Sequence, residues 1–482
     1  MMRLRFSLAV ALAAVAGLAV PLSAQQYSIT NLGSLGGSFV YTYPSAINNS
    51  GQVAGTAHQA NYSLSTPFRT EANSPINPAT DNLGFLTSVG ATAGSASSIN
   101  NSGQVAGAAS VPIASSPGSF YSIAFRADPG NSTLVSLGAR TLPPSYPGAN
   151  STNANGINSS GQVTGSAITE EAILPCGGAF GIQAFLTVAD GTVSTSEDLG
   201  TVETGNCGTS VGYAVNTSGQ VVGYSGTAGF SFLPTHAFLA TPGEAIQDLG
   251  SLGGPYSVAT AINDAGQVVG YSDFNPLMAF HPNAFLATAT TSMQNLGSLG
   301  GTWVYANSIN NAGQIVGSST LSGDSAADAY IYQDGTMTDL NTLIPGGSGW
   351  VLQNATGIND LGQIVGSGIY NGSEAAFRLD PPPNVGVSNL IAEVSSLNLG
   401  LSTPEVRILS ATLDVALAAV KRVNEGASGP GGEAGANLAK LIARADLEVF
   451  IAELRALVNN GTLNAASAAS LTSAATNLIS TL

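Results

Sequence analysis

Residues 47–55 read INNSGQVAG, and six further stretches of the chain repeat this pattern of nine residues. The consensus is Ile-Asn-x-x-Gly-Gln-Val-x-Gly, and successive turn glycines are 47 to 58 residues apart. Within it, Asn-x-x-Gly fits a type I turn that a glycine with positive φ closes as a bulge. Each copy therefore predicts a β-hairpin, with one strand ending at Ile-Asn and the next beginning at Gln-Val. The repeat residues that we expect to be structural are Asn48, Gly51, Gln52, Asn100, Gly103, Gln104, Asn158, Gly161, Gln162, Asn216, Gly219, Gln220, Asn263, Gly266, Gln267, Asn310, Gly313, Gln314, Asn359, Gly362 and Gln363.

Two more strands recur around each hairpin. One carries a central aromatic residue, at Phe68, Phe125, Phe185, Phe238, Phe285, Tyr330 and Phe377. The other contains Asp/Asn-Leu-Gly or a variant of it, with its leucine at Leu83, Leu137, Leu199, Leu249, Leu296 and Leu340. The seventh unit lacks this strand, but an extra copy, NLGSLGG, stands at residues 31–37. The N-terminal strand must then complete the last unit, which predicts a mainly β fold: a seven-bladed β-propeller over residues 25–380.

The last hundred residues have a different composition, rich in Ala and Leu. A Pro-rich linker is expected at 381–387 and a small α-helical bundle at 388–482. Thr403-Pro404-Glu405 supplies a capping hydroxyl, a first-turn proline and an acid at the positive end of the helix dipole. That helix should run to about Val423, and apolar spacing from Leu438 to Val458 and from Leu471 to Leu482 predicts two more helices.

Both parts resemble known modules of exported proteins. The segments HAFLATPGEAIQDLGSLGG from His236 and NAFLATATTSMQNLGSLGG from Asn283 are similar to the extracellular HAF repeats, named for a His-Ala-Phe tripeptide. This resemblance covers residues 25–380, although the other units read PF, AF or AY; it implies an exported repeat protein with no defined catalytic activity. Residues 447–482 resemble the small FIMAH-type helical modules of secreted proteins, through Phe450-Ile451 and the helix spacing.

The first 24 residues predict a secretory signal peptide. Arg3 and Arg5 precede an apolar run from Leu8 to Val20, and Ala24 suits cleavage. An uncleaved anchor is the alternative, although the run is short for a membrane span, and no later stretch is long and apolar enough. We expect a secreted or cell-surface protein of a bacterium.

The chain has two cysteines, Cys176 and Cys207. In an exported protein an isolated pair favours a disulfide, and two buried free thiols are the alternative. Both lie in connections of the third unit that the strand order places at one end of the ring.

The formal net charge of −16 excludes several partners. Between residues 25 and 380 there is no Lys, and the only cations besides histidine are four arginines, Arg69, Arg126, Arg140 and Arg378. Nucleic-acid binding requires clustered basic side chains, so it is excluded, and an anionic membrane surface is disfavoured for the same reason.

Enzyme and metal signals are weak. Gly208–Gly212 matches the G-x-S-x-G nucleophile pattern, but it leads into a β repeat rather than a strand-turn-helix elbow. Asp324 and Asp328 lack the rest of a calcium loop. The histidines have no second ligand at metal-binding spacing: His58, His236 and His281. We therefore expect no catalytic residue, metal or cofactor.

The repeated glutamine allows two interpretations. Seven amides on one ring of the propeller favour hydrogen bonds between neighbouring blades, and a polar lining of the central channel is the alternative.

The variable connections suggest a binding surface. In a four-stranded meander they lie at the end opposite the Asn-x-x-Gly turns, and variable loops on a rigid scaffold commonly bind ligands. An unknown extracellular glycan or protein is the expected partner, with tolerated surface insertions as the alternative. The candidate contact residues are Phe120, Tyr121, Tyr146, Phe180, Phe230 and Phe232.

A propeller enzyme acting on extracellular polysaccharide is the competing hypothesis. It needs two carboxylates converging at the ring centre on the same end. The acids nearest the insertions are Glu170, Glu171, Asp190, Glu197 and Glu203.

Overall fold

The computed structural model describes residues 26–130, 133–138, 151–169, 181–193, 196–202, 208–227, 235–274, 281–396, 403–426, 432–463 and 465–482. Within these ranges, 27 strands form seven antiparallel sheets and four helices follow them. The chain is a seven-bladed β-propeller followed by a C-terminal helical region, as the repeats predict. The expected signal peptide lies outside the described residues.

The blades follow the chain in order. Blade 1 contains β2 Phe39–Ile47, β3 Val53–Gln59 and β4 Ser65–Arg69. Blade 2 contains β5 Ala93–Ile99, β6 Val105–Pro112, β7 Phe120–Ala127 and β8 Leu134–Gly138. Blade 3 contains β9 Thr152–Ile157, β10 Val163–Thr169, β11 Gly181–Leu186 and β12 Glu197–Asp198. Blade 4 contains β13 Gly208–Val215, β14 Val221–Thr227, β15 Thr235–Ala240 and β16 Gln247–Asp248. Blade 5 contains β17 Ser257–Ile262, β18 Val268–Asp273, β19 Pro282–Thr288 and β20 Thr291–Asn295. Blade 6 contains β21 Gly300–Ile309, β22 Ile315–Leu321, β23 Ala327–Gln333 and β24 Thr336–Asp339. Blade 7 contains β25 Trp350–Ile358, β26 Ile364–Tyr370 and β27 Ser373–Asp380, and the N-terminal strand β1 Ser28–Asn31 is its fourth strand.

Each hairpin turn has the geometry that its motif predicts. In blade 1 the Gly51 N–H donates to the Asn48 carbonyl at 2.9 Å, and Gly51 has a φ of +75°. The Asn48 side-chain oxygen accepts from the N–H groups of Ser50 at 3.1 Å and Gln52 at 3.0 Å. The backbone bonds recur in all seven motifs, because asparagine stabilises the turn and glycine tolerates its conformation.

The final glycine of the motif makes room for the aromatic residue of the third strand. Gly55 lies opposite Phe68, whose ring covers it where a Cβ would collide. The seven pairs are Gly55–Phe68, Gly107–Phe125, Gly165–Phe185, Gly223–Phe238, Gly270–Phe285, Gly317–Tyr330 and Gly366–Phe377. All seven rings are fully buried, so each blade is built around one aromatic side chain.

The ring closes through its N-terminal strand, which confirms the predicted closure. β1 pairs with β27, and Asn31 lies opposite Phe377. The Leu32 N–H then donates to the Ala376 carbonyl at 2.9 Å. Leu32 is fully buried in a core that also contains Val53 of blade 1 and Val365 of blade 7. The two ends of the propeller therefore share one hydrophobic core.

The fourth strand predicted at Leu83 is wrong as a strand. Among the described residues, blade 1 has three strands and one isolated bridge between Phe68 and Asn82. Leu83 is still buried, and its N–H donates to the Pro67 carbonyl at 3.0 Å. Ahead of Asn82 the chain forms a turn and does not extend the strand: the Asp81 N–H donates to the Asn77 carbonyl at 3.0 Å, and the Asp81 side chain accepts from the Asn77 N–H at 2.7 Å.

The helices are α1 Pro383–Ser396, α2 Thr403–Gly426, α3 Gly432–Asn459 and α4 Ala465–Thr481. The linker expected at 381–387 is wrong in extent, since α1 already begins at Pro383. A proline suits the first turn of a helix, where its missing N–H has no partner to lose. The helices bury a common core that includes Leu413, Leu447 and Phe450.

The helical bundle lies against the propeller through α1 and α4. Asn389 of α1 donates to the Gln314 side chain at 3.0 Å. Asn477 of α4 donates to the Asn49 carbonyl at 3.2 Å and to the Gln363 side chain at 2.8 Å. These are residues of the Asn-x-x-Gly turns, so the bundle covers part of that end of the ring. α2 and α3 form the outer layer.

Candidate functional site

The end of the ring that carries the Asn-x-x-Gly turns, here called the turn end, is held together by a ring of asparagine amides. The Asn48 side-chain amide donates to the Asn100 carbonyl of the next blade at 3.0 Å. The same bond links every blade to the next at 2.9–3.2 Å, and Asn359 closes the ring by donating to the Asn48 carbonyl. This asparagine ring fixes the relative positions of all seven blades.

The glutamines share one bond within their own hairpin, and the blade-to-blade role favoured by the sequence is seen for Gln104 and Gln363. Each accepts a bond from the asparagine of its own hairpin, as Gln52 does from Asn48 at 2.9 Å. The repeated blade-to-blade bond therefore comes from asparagine. Gln104 donates to Asp190 of the next blade at 3.1 Å, and Gln363 donates to Asn73 of the next blade at 3.0 Å. Such a bond requires an acceptor on the neighbouring blade, so the motif alone does not predict the bond.

A second set of hydrogen bonds joins the residues that follow the turn asparagines of blades 1, 2, 4, 5, 6 and 7. Asp360 accepts from the Asn49 side chain at 2.7 Å and from the Asn311 N–H at 2.9 Å. Burial raises the pKa of Asp360. The cavity of about 180 Å³ at this end is therefore lined by groups already bonded to one another.

The channel itself is lined mainly by small polar residues of the inner strands. The inner strand of every blade has a bulge that directs one side chain into a cavity of about 540 Å³. Ser45 donates from its bulge to the Ala96 carbonyl at 2.8 Å, and Thr356 donates to the Pro44 carbonyl at 2.8 Å. Within the described lining of this cavity there is no carboxylate. The described acids of the ring centre lie at the turn end, where Asp264 and Asp360 both accept from the Asn311 side chain. Among the described residues, the larger cavity offers no second acid pair of the kind that a glycosidase needs.

The opposite end, here called the loop end, carries pairs of aromatic side chains. Trp350 starts an inner strand and Tyr370 ends a second strand, whereas Tyr213 is the bulge residue of β13 and also lines the channel. Outside blade 1 the pairs, with ring-centroid distances, are Tyr213–Tyr224 at 5.9 Å, Tyr271–Tyr305 at 5.1 Å, His281–Trp303 at 5.7 Å and Trp350–Tyr370 at 4.8 Å. Sequence reasoning missed these residues, although alternating aromatics ahead of the motif, as in Tyr41-x-Tyr43, were a usable signal.

The largest group is the blade 1 aromatic cluster of Tyr41, Tyr43, His58 and Tyr62. Tyr41 and Tyr62 stack with centroids 5.1 Å apart and an interplanar angle of 11°. The hydroxyls of Tyr43 and Tyr62 are 2.7 Å apart, and His58 contacts both rings. Burial lowers the pKa of His58, which favours its neutral form near pH 7. The cluster is an uncharged aromatic surface.

Tyr62 is held in an uncommon backbone conformation. It lies in the connection between β3 and β4 with a φ of +55°, and its side chain is 53% exposed. A non-glycine residue in the left-handed region costs about 1 kcal/mol, so other contacts must stabilise it. Stacking on Tyr41 supplies them while leaving the other ring face in solvent.

A small polar cleft adjoins the cluster, between blades 1 and 7. It encloses about 70 Å³ and is lined by Tyr41, Tyr43, Gln353 and Glu374 among others. The Tyr43 hydroxyl donates to Glu374 Oε2 at 3.2 Å. Burial, the hydrogen bond with Tyr62 and the charge of Glu374 all raise the pKa of Tyr43, so this hydroxyl stays protonated.

The cations lie at the other end of the ring. Arg69 donates to the Gly103 carbonyl at 2.7 Å, and Arg378 pairs with Asp380 at 2.9 Å. Arg126 bridges Asp128 and Asp190, both at 2.8 Å. These arginines end their third strands, which places them at the turn end. Arg140 lies outside the described residues.

The structure describes two of the six residues proposed for binding. Phe120 is 57% exposed at the start of β7, whereas Tyr121 packs against the core of blade 2. The rest of the proposed contact set and both cysteines fall in undescribed segments: Tyr146, Phe180, Phe230, Phe232, Cys176 and Cys207.

The acid proposal needs one correction. Asp190 lies at the turn end, against Arg126, because the connection between the third and fourth strands runs there. It is therefore not an acid of the loop end. Glu170, Glu171 and Glu203, and the side chain of Glu197, lie outside what the structure describes.

Two motifs singled out in the sequence have structural surroundings. Ser210 of the G-x-S-x-G match is fully buried in β13, and its hydroxyl donates to the Gly200 carbonyl at 2.6 Å. His236 forms a partly exposed pair with Asp248 at 2.9 Å.

Across the described residues, no group of three or more His, Cys, Asp or Glu could hold a metal ion. None of the described helices is long and apolar enough to cross a membrane.

The chain is distantly similar to several solved structures. No family model and no curated protein matches the chain. Among solved structures, TolB from Acinetobacter baumannii is 10% identical over 72% of this chain and 64% of its own, with a TM-score of 0.35. A protein of unknown function from Dyadobacter fermentans is 12% identical over 74% of this chain and 98% of its own, with a TM-score of 0.36. Trypanosoma rangeli sialidase is 8% identical over 79% of this chain and 56% of its own, with a TM-score of 0.31.

Proposed function

We propose that this chain is an exported, non-enzymatic binding protein whose loop end takes a neutral glycan. The observation that carries the proposal is the blade 1 aromatic cluster, where Tyr62 keeps an exposed ring stacked on Tyr41. A rigid aromatic surface offers apolar contact area at little conformational cost.

The arrangement of polar groups favours a sugar. A pyranose ring has an apolar face and a rim of hydroxyls, so it suits an aromatic ring flanked by hydrogen-bonding groups. The Tyr43 hydroxyl, Gln353 and Glu374 provide such groups beside the Tyr41 ring.

The charge distribution favours a neutral ligand. The described arginines of the propeller lie at the turn end, each with an oxygen partner. The loop end has carboxylates, among them Glu374, and no described arginine. An anionic polysaccharide would find no cation to balance its charge there.

Several sequence-based expectations remain part of this proposal. They are export through the signal peptide, kinship with HAF and FIMAH modules, and a disulfide between Cys176 and Cys207. Phe120 and the aromatic residues of the undescribed insertions would widen the contact surface on blades 2 to 4.

A glycan array tests the proposal. The mature protein should bind neutral oligosaccharides in preference to sulfated, phosphorylated or uronic-acid forms. Tyr41→Ala and Tyr62→Ala should each weaken binding about tenfold, as expected for the loss of one aromatic contact. Tyr62→Phe keeps the ring and removes its hydroxyl, so it separates stacking from hydrogen bonding.

Val188→Ala is the matched control. Val188 is 61% exposed in the connection after β11, at the turn end, and its truncation should leave binding unchanged. Preference for anionic glycans, or equal loss in the control, would contradict the proposal. A hydrolysis assay on the bound sugars tests the enzyme hypothesis. Turnover of these sugars by the wild type would favour that hypothesis over the binding role.

A further inference from the structure

The outer layer of the helical bundle is apolar on two faces. Leu413 of α2, and Leu447 and Phe450 of α3, are buried in the core of the bundle. The opposite faces of α2 and α3 carry six large aliphatic side chains that are 39–63% exposed, namely Ile408, Val415, Leu438, Leu441, Ile442 and Val449. A helix of a monomeric bundle normally places charged residues on that face. Exposed apolar area of this extent marks an interaction surface.

The exposed positions have the spacing of packed helices. On α3 the steps are three, four and three residues, through Ile442, Ala445, Val449 and Ala452. On α2 they are again three, four and three, through Ile408, Ala411, Val415 and Ala418. Steps that alternate between three and four residues are typical of the contact stripe between helices that pack side by side. The alanines in each stripe allow the helices a close approach.

Both stripes lie on one surface. The Thr412 hydroxyl bonds Glu453 at 3.0 Å, which fixes the antiparallel register of α2 and α3. In this register Val415 stands beside Val449, and Ile408 beside Ala456. The two stripes therefore form a continuous two-helix face, here called the outer face.

We propose that the outer face binds the same face of a second copy of this chain, forming a symmetric dimer through a four-helix contact. The nineteen residues of α3 from Leu438 to Ala456 span about 28 Å. Two helices about 10 Å apart give a face about 20 Å wide. That is about 550 Å² per copy and about 1,100 Å² in total, which reaches the size of a specific interface.

Charge supports a second copy over a membrane. Residues 403–459 carry six basic and seven acidic side chains, a net of −1 in a chain of net −16. This is a part of the molecule where two copies meet with little repulsion, and it has no basic excess to attract anionic lipid. Arg444 and Glu448 flank the stripe on α3 one turn apart, so an antiparallel second copy sets each near its opposite charge.

Sedimentation velocity on the mature protein tests the proposal. At about 10 µM the wild type should sediment as a dimer, and Leu441→Glu with Val449→Glu should weaken the dimer at least about a hundredfold, because each copy buries two unpaired charges. Leu441→Gln with Val449→Gln is a gentler pair that suits a helix and should act in the same direction. Val188→Glu, an equally exposed apolar site on the propeller, should leave the dimer intact.

Three results would overturn the proposal. One is a monomeric wild type at this concentration. Another is a dimer that survives both double variants, with circular dichroism showing that each is folded. The third is flotation of the wild type with neutral or anionic phospholipid vesicles that both double variants abolish, which would assign the outer face to lipid.

Discussion

Truncating Leu32 to Ala tests how the ring is closed. Leu32 comes directly after β1 and is fully buried between blades 7 and 1. A buried Leu→Ala change costs about 2–5 kcal/mol, and the larger values belong to sites that cannot collapse. Val53 and Val365, which share this core, come from rigid second strands of two blades. We therefore expect a loss of about 3–4 kcal/mol in the free energy of unfolding.

The matched control is Leu137→Ala. Leu137 occupies the same repeat position in blade 2 and is 2% exposed, but its blade is continuous in the chain. Guanidinium denaturation of the two variants should show comparable losses. A loss below about 1 kcal/mol for Leu32→Ala, with the full loss for Leu137→Ala, would refute closure by the N-terminal strand.

Other features of the structure give three further predictions. Asn216→Ala removes one link of the asparagine ring and takes a hydrogen bond from the Asn263 carbonyl and from the Gln220 side chain; we expect a loss of about 2 kcal/mol, while Ser160→Ala, at an exposed position of the blade 3 turn, changes the unfolding free energy little. Burial raises the pKa of Asp273, so its charged form destabilises the folded state above that pKa. Asp273→Asn should therefore stabilise the protein at pH 7, and the gain should vanish as the pH falls below the unfolded pKa of the acid, which melting curves between pH 3 and 8 would show. Protein exported to an oxidising compartment should contain no free thiol, because the expected bond between Cys176 and Cys207 closes a loop of roughly 30 residues worth about 3 kcal/mol; titration of two thiols in the unfolded, unreduced protein would contradict it.

The fold could be predicted from the sequence because its determinants are local and repeated. Asn48 and Gly51 specify a turn, and Gly55 fits beneath Phe68, wherever the motif occurs. The extra NLGSLGG copy at residues 31–37 could be assigned to the last blade by counting strands. A ring of such units needs no capping unit, so the count alone indicated closure.

Departures from the prediction arise from single residues. The fourth strand of blade 1 is lost because a turn between Asn77 and Asp81 replaces the residues that would extend it. Three prolines in a row predict a linker, whereas Pro383 sits in the first turn of α1, where a helix tolerates proline.

The candidate site was harder to predict. The variable insertions predict binding residues within them, whereas the described aromatic pairs lie mostly on the inner and second strands. Which side chains of the inner strand face the channel depends on the bulge between Pro44 and Ala46 and its counterparts. A bulge breaks the alternation of period two on which such an assignment rests. The left-handed Tyr62, which stacks on Tyr41, follows from no propensity of tyrosine.

Hydrogen exchange with the best neutral glycan from the array tests the central claim most directly. Binding at the blade 1 aromatic cluster should slow amide exchange in residues 39–43, 58–64, 350–354 and 367–374, which lie towards the loop end of blades 1 and 7. The asparagine ring and the helices should exchange as they do without sugar. Protection confined to the turn end or to the helical bundle would contradict the assignment of the loop end as the binding surface.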